Sequence, residues 1–178
     1  MKKLPAVVHI PTCMGAVVLA YKIKGVKDLK LTGSLVSDIF AGKVTMWNDA
    51  KLKAVNPGVN LPNMKIVPVF RSDGSGTTNV FTDYLSKVSP EWKAKYGSGK
   101  SVNFPTGQAA KGNPGVAGII GQTEGSIGYI GSEYAFAQNI AYATLQNKQG
   151  EFVKPDTKSI SAAASGEMPA DTRIMITN

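Results

Sequence analysis

The stretch that most restricts what this chain can fold into is Phe70-Arg71-Ser72-Asp73-Gly74-Ser75-Gly76-Thr77-Thr78. It separates two patterns of different period. Upstream, Lys65-Ile66-Val67-Pro68-Val69-Phe70 is short, apolar and rich in β-branched residues, the composition of a buried strand. Downstream, Val80, Phe81, Tyr84, Leu85 and Val88 fall on one stripe at a period of about 3.6 residues, which predicts a helix over Asn79–Val88. The chain must therefore pass from strand to helix within a few Gly, Ser and Thr residues.

A turn of this composition has two readings. The first backbone N–H groups of a helix have no partner inside it and carry the positive end of its dipole, so they hold anions well. On that reading Gly74 and Gly76 allow close approach and positive φ, Ser75, Thr77 and Thr78 add hydroxyl donors, and Arg71 offers a planar fork of donors to an oxyanion. Asp73 is near enough to brace that guanidinium, or else to cap the helix. The second reading is an ordinary capped turn. No Lys follows the glycines as in a Walker A loop, and the spacing is not that of GxGxxG.

Composition removes several function classes. A chain of 178 residues is the size of one domain, long enough for a core without metals or disulfides. The lone Cys13 excludes an internal disulfide and reads as a small apolar residue, and the single histidine, His9, has no Cys or paired carboxylates beside it to suggest a metal. The formal charge of +8 suits an anionic partner. Its lysines are scattered, however, and only Arg71 and Arg173 are arginines, unlike the clustered cations and stacking aromatics of nucleic-acid binders. A phosphoester-acting enzyme would need a base or metal cluster near the anion site, and no such cluster is present in the sequence. No run approaches the ~18 apolar residues of a membrane span. Met1 to Pro11 superficially imitates a secretion signal, but Pro5, His9 and Pro11 interrupt it.

The remaining patterns alternate strands with helices. Leu4–Ile10 and Gly15–Ile23 read as buried strands, and Leu31–Ser34 opens a helix bearing Leu35, Val36, Ile39 and Phe40 that ends at Gly42. Short helices are expected over Asp49–Val55 and from Ser89-Pro90, with Trp47 as a core anchor. Ser98–Asn103 reads as loop or edge strand, Gln108–Ile120 as a loop leading into a small-residue helix, and Gly125–Ile130 as a strand with glycines at close-approach positions. A helix near Ser132–Ala137, a hairpin around Asn147–Gly150, a helix over Thr157–Ser165 and strand-like residues to Asn178 complete the chain. This is an α/β layered domain.

Taken together, the blocks Pro11–Val18, Leu31-Thr32-Gly33, Ile39–Lys43, Trp47-Asn48-Asp49, Asn56-Pro57-Gly58, Arg71–Thr78, Phe81–Ser86, Glu91-Trp92, Ala110–Asn113 and Gly125–Tyr129 resemble the periplasmic phosphate-binding protein of bacterial ABC phosphate importers. The resemblance covers nearly the whole chain. It implies a mixed sheet flanked by helices, one lobe of a clamshell receptor that holds phosphate by hydrogen bonds without metal, cofactor or catalysis. It also implies an extracytoplasmic location and a membrane permease as partner of the full-length protein. Carried onto this sequence, the phosphate contacts are Arg71, Ser75, Gly76 and Thr77, with Asp73 bracing Arg71.

The chain departs from that family in lacking the first lobe's TGAGA(S/T)-type loop, a further Ser and an Asp that meets the anion's proton. Residues 1–178 are thus expected to form the second lobe alone, with 1–12 and 172–178 as crossover segments. Such a lobe is expected to bind phosphate weakly, to discriminate poorly against sulfate, and to self-associate through the apolar stretches Leu4–Ile10 and Arg173–Ile176.

Overall fold

A computed structural model of the chain describes residues 14–166 and 175–177. The strand expected at Leu4–Ile10, together with His9, Cys13 and Arg173, lies outside the described residues. Two sheets organise the rest. The larger has the order β1-β5-β3-β4, built from β1 (Val17–Tyr21), β3 (Val67–Arg71), β4 (Gln108–Ala110) and β5 (Ser126–Gly131). In it β3 runs parallel to both β4 and β5, while β1 is antiparallel to β5. The smaller sheet joins β2 (Lys30–Leu31) in parallel to β6 (Thr144–Gln146), which forms a hairpin with β7 (Phe152–Val153).

The helices follow the sequence signals closely because most carry their own caps. In α1 (Gly33–Phe40), α2 (Ala50–Val55) and α4 (Pro90–Lys95), the side chains of Thr32, Asp49 and Ser89 each accept an N–H from the first turn. The other helices are α3 (Gly76–Val88), α5 (Gly112–Gln122), α6 (Ser132–Ala137) and α7 (Thr157–Ala163). Trp47 is fully buried, its indole N–H donating to the Gly125 carbonyl at 2.9 Å, as a core anchor should.

Alternation along β1 feeds two cores, one on each face of the larger sheet. Leu19 and Tyr21 face a cluster with Leu35, Phe40, Phe81 and Leu85, whereas Val18 and Ala20 face Val116, Ala117 and Ile120 of α5. Consequently α3 and α5 cover opposite faces. Gly128 makes the α5 side possible: a Cβ there would stand 2.9 Å from Ile120 Cδ1 and 2.8 Å from the Val69 carbonyl oxygen. On the α3 side, Tyr129 stacks on Phe81 with ring centroids 4.4 Å apart, a pairing that contributes about 0.5–1.5 kcal/mol beyond area burial.

Two expectations are corrected. Gln108–Ala110 is an edge strand rather than a loop, because Val69–Arg71 offers it a pairing edge that its own weak β propensity does not announce. Met175–Thr177 forms no strand; the buried Thr177 hydroxyl instead meets Asp83 and, at 2.6 Å, Lys87 Nζ.

Candidate anion site at the sheet's carboxyl edge

The carboxyl ends of β3 and β4 lie side by side, and the chain leaves them toward opposite faces, into α3 and α5. A crevice opens at such a switch point, and in α/β sheets ligands bind there. The Arg71–Thr78 block leaves one strand end and Lys111–Asn113 the other, and hydrogen bonds from Arg71 to Asn113 and from Gly112 to Asp73 join them.

At the first strand end Ser75 is the N-cap of α3. Its extended backbone (φ −137°, ψ 132°) stops the helix, and its Oγ accepts the Thr78 N–H at 3.2 Å. The Ser75 N–H is itself bonded to the Lys100 carbonyl at 2.9 Å, so the cap is fixed from both sides. Gly76 and Thr77, the first two helical residues, present N–H groups with no hydrogen-bond acceptor among the described residues. Gly76 is exposed and Thr77 half-buried. Ser75 is 96% buried, yet its hydroxyl proton remains to donate, since only its oxygen is engaged by Thr78.

Arg71 ends β3 and folds back onto Asp73. Its Nε donates to Asp73 Oδ1 at 2.8 Å and its Nη2 to Oδ2 at 2.6 Å, a two-point ion pair with only 11% of the arginine side chain exposed. A third donor, Nη1, reaches Asn113 Oδ1 at 3.3 Å. Of the five guanidinium N–H donors two therefore stay free, one on each terminal nitrogen. The Asp73 hydrogen bonds raise the Arg71 pKa further and so keep the cation charged. Those same bonds, followed by one from the Gly112 N–H at 3.0 Å, hold the Asp73 carboxyl well below the usual carboxylate range. Asp73 thus braces the guanidinium and does not cap α3.

Behind this surface stands Tyr129 on β5. Its hydroxyl accepts the Arg71 backbone N–H at 3.1 Å and lies 2.8 Å from Thr78 Oγ1, tying the strand end to the helix start. Burial raises its pKa, so the phenol stays neutral.

The sequence-predicted residues Arg71, Asp73, Ser75, Gly76 and Thr77 are brought to one edge. Two details differ from expectation. Thr78 is 99% buried and points back to Tyr129, so its hydroxyl does not join the open surface. Gly74 and Gly76 both keep negative φ, because an extended Ser75 followed directly by helix needs no left-handed residue; a Cβ on either would enter open space. Gly112, Asn113 and Tyr129 were not picked out as site residues by sequence reasoning; the signal available for them was their membership in the two blocks Ala110–Asn113 and Gly125–Tyr129. An apolar cavity of about 400 Å³ between α3, β1, β7 and α7 does not reach Arg71 or the first residues of α3. Among the described residues, no three His, Cys, Asp or Glu side chains gather to hold a metal ion.

Fold and site together define a class: an α/β domain that offers an open helix end and a fixed cation at a sheet's switch point. The chain belongs to the PBP superfamily, whose domain matches residues 2–175. It is 47% identical over 175 residues to the phosphate-binding protein PstS of Xylella fastidiosa, covering 96% of this chain and 48% of that relative. Against the PstS of Haemophilus influenzae the identity is 48% over 160 residues, covering 89% and 48%. The chain thus spans about half the length of the curated relatives it matches. Among solved structures, an ancestral soluble variant of the Human Phosphate Binding Protein superposes with a TM-score of 0.71 at 22% identity, covering 92% of this chain and 48% of that one. PfluDING, a high-affinity periplasmic phosphate-binding protein bound with phosphate, gives 0.68 at 20% identity, covering 92% and 46%.

Proposed function

We propose that this chain binds inorganic phosphate as one jaw of a two-lobed receptor, the extracytoplasmic substrate-binding component of an ABC phosphate importer. The observation that carries the reading is the open first turn of α3, with the Gly76 and Thr77 N–H groups unengaged beside an arginine fixed by Asp73. Arg71, Ser75, Gly76 and Thr77 contact the anion in this reading, and Asp73 holds Arg71 in place. The names of the relatives support phosphate as the ligand, and their doubled length supports residues 1–178 as the second lobe, with a first lobe supplying the opposing donors. The lobe binds and does no chemistry, and the permease recognises the complete receptor.

With half of the donors, the lobe binds phosphate weakly and separates it poorly from sulfate, since each missing hydrogen bond costs about 1–3 kcal/mol. Amide NMR during titration with inorganic phosphate tests the site. The largest shifts are expected at the Gly76 and Thr77 N–H groups and at the Arg71 Nη protons, which Asp73 and Asn113 leave partly free; unchanged resonances there at millimolar phosphate refute it. A second reading, self-association through Leu4–Ile10 and Arg173–Ile176, draws support from the exposed Met175 and Ile176. Elution as a monomer at high concentration excludes that reading.

A further inference from the structure

We infer that Asn113 is a positioning residue of the anion site: its side-chain carbonyl holds the guanidinium of Arg71 on the side Asp73 leaves free. This rests on reading the carboxyl edge as a phosphate site. Asp73 occupies Nε and one donor of Nη2, which fixes one edge of the guanidinium plane. That edge alone lets the plane rock about its contact with the carboxylate. Asn113 Oδ1 takes a donor of Nη1 at 3.3 Å, a third point that removes this freedom. The two N–H donors that remain, one on Nη1 and one on Nη2, are then aimed by the protein before any anion arrives, and preorganisation of this kind lowers the cost of binding.

The local backbone explains how Asn113 reaches that place. α5 has no side-chain cap from its own N-cap residue, Lys111; its first N–H, on Gly112, goes instead to Asp73 Oδ1. Gly112 adopts φ +70°, which turns the chain so that residues 112 and 113 both face the Arg71–Asp73 pair. The residue type matters as well as the contact. An amide oxygen accepts from the guanidinium without adding charge, whereas a carboxylate at the same point would be a second anion on one cation and would repel phosphate.

The charged and titratable groups around this position are Arg71 and Asp73 from the β3–α3 turn, Lys111 beside it in the chain, Tyr129 from β5 and Tyr134 from α6. The test measures inorganic phosphate affinity of the 178-residue chain and of Asn113→Ala, Asn113→Asp and Arg71→Ala at a series of pH values. Asn113→Ala is expected to bind about tenfold more weakly with its thermal midpoint retained, the size of one lost charge-assisted hydrogen bond. The ratio of the Asn113→Asp to the Asn113→Ala affinity cancels phosphate's own ionisation. It is expected to exceed one in acid, where the neutral carboxyl still offers Nη1 a carbonyl acceptor, and to fall as that carboxyl ionises. An ionised carboxylate repels phosphate whatever Asn113 does, so the acid arm decides: a ratio at or below one there overturns the inference, as does wild-type affinity in Asn113→Ala. Should Arg71→Ala bind phosphate as well as the unmodified chain, the phosphate site itself is misplaced and the inference falls with it; weakened binding in Arg71→Ala with unaffected Asn113 variants condemns the Asn113 role alone.

Discussion

Two helices start at the carboxyl edge of the larger sheet, and they start differently. α3 carries its own cap: Ser75 takes the Thr78 N–H, which leaves the Gly76 and Thr77 N–H groups turned outward and unused. α5 has no such residue, and Asp73, 39 positions away in sequence, takes its first N–H. One helix end is therefore kept open while the other is spent on holding Asp73, and through Asp73 the guanidinium. The difference teaches that a neutral cap from a local side chain leaves the first-turn N–H groups of α3, and the positive end of its dipole, for a ligand. Where a carboxylate sits on the end, the dipole is already satisfied.

Moving a charge onto the open end breaks the contrast most severely. Ser75→Asp keeps a good N-cap, so the melting temperature is expected to stay within a few degrees, while its carboxylate occupies the place of the anion and phosphate binding drops below detection by calorimetry. Retained binding in that variant means the anion does not sit at α3. Arg71→Ala is expected next, with binding weakened about 10- to 100-fold, the loss of charge-assisted hydrogen bonds worth about 1.5–3 kcal/mol. Arg71→Lys recovers only part of this, because an ammonium lacks the planar fork.

Asp73→Asn sharpens the comparison through pH. A carboxyl held below its ordinary value stabilises the folded state above about pH 4 and loses that contribution as pH falls through that value toward the depressed one. Thermal melts of Asp73→Asn should therefore show a shallower decline on the acid side than those of the native chain. Equal acid limbs show that the ion pair does not contribute. Gly112→Ala has the smallest expected effect on binding. It forces an alanine to φ +70° with its Cβ 3.3 Å from Pro114 Cδ, and about 1–2 kcal/mol of stability is lost by urea titration.

Much of this was legible in residue order because the signals are local. The span of α6, the starts of α1 and α4 and the turn from β3 into α3 follow from period, caps and composition within a dozen residues; the same turn offers Arg71, Gly74, Ser75, Gly76, Thr77 and Thr78 as donors, and the narrower set with Asp73 as brace is what the family resemblance implies. Gln108–Ala110 was misread for the converse reason: three residues of weak β propensity become a strand only because Val69–Arg71 lies beside them. Thr78 was misassigned since its neighbours in sequence are polar, whereas the partner that turns it inward, Tyr129, is 51 positions away.

The chain's own order thus determined that a strand would run into a helix through an anion-suited turn, since dihedral preference, capping and hydrophobic period act over a few residues. Which of the donors in that turn remain free was decided only by the tertiary structure. Hydrogen-bond capacity is finite, and whether Thr78, Asp73 or Arg71 keeps any to spare depends on Tyr129, Gly112 and Asn113, which arrive from distant parts of the chain.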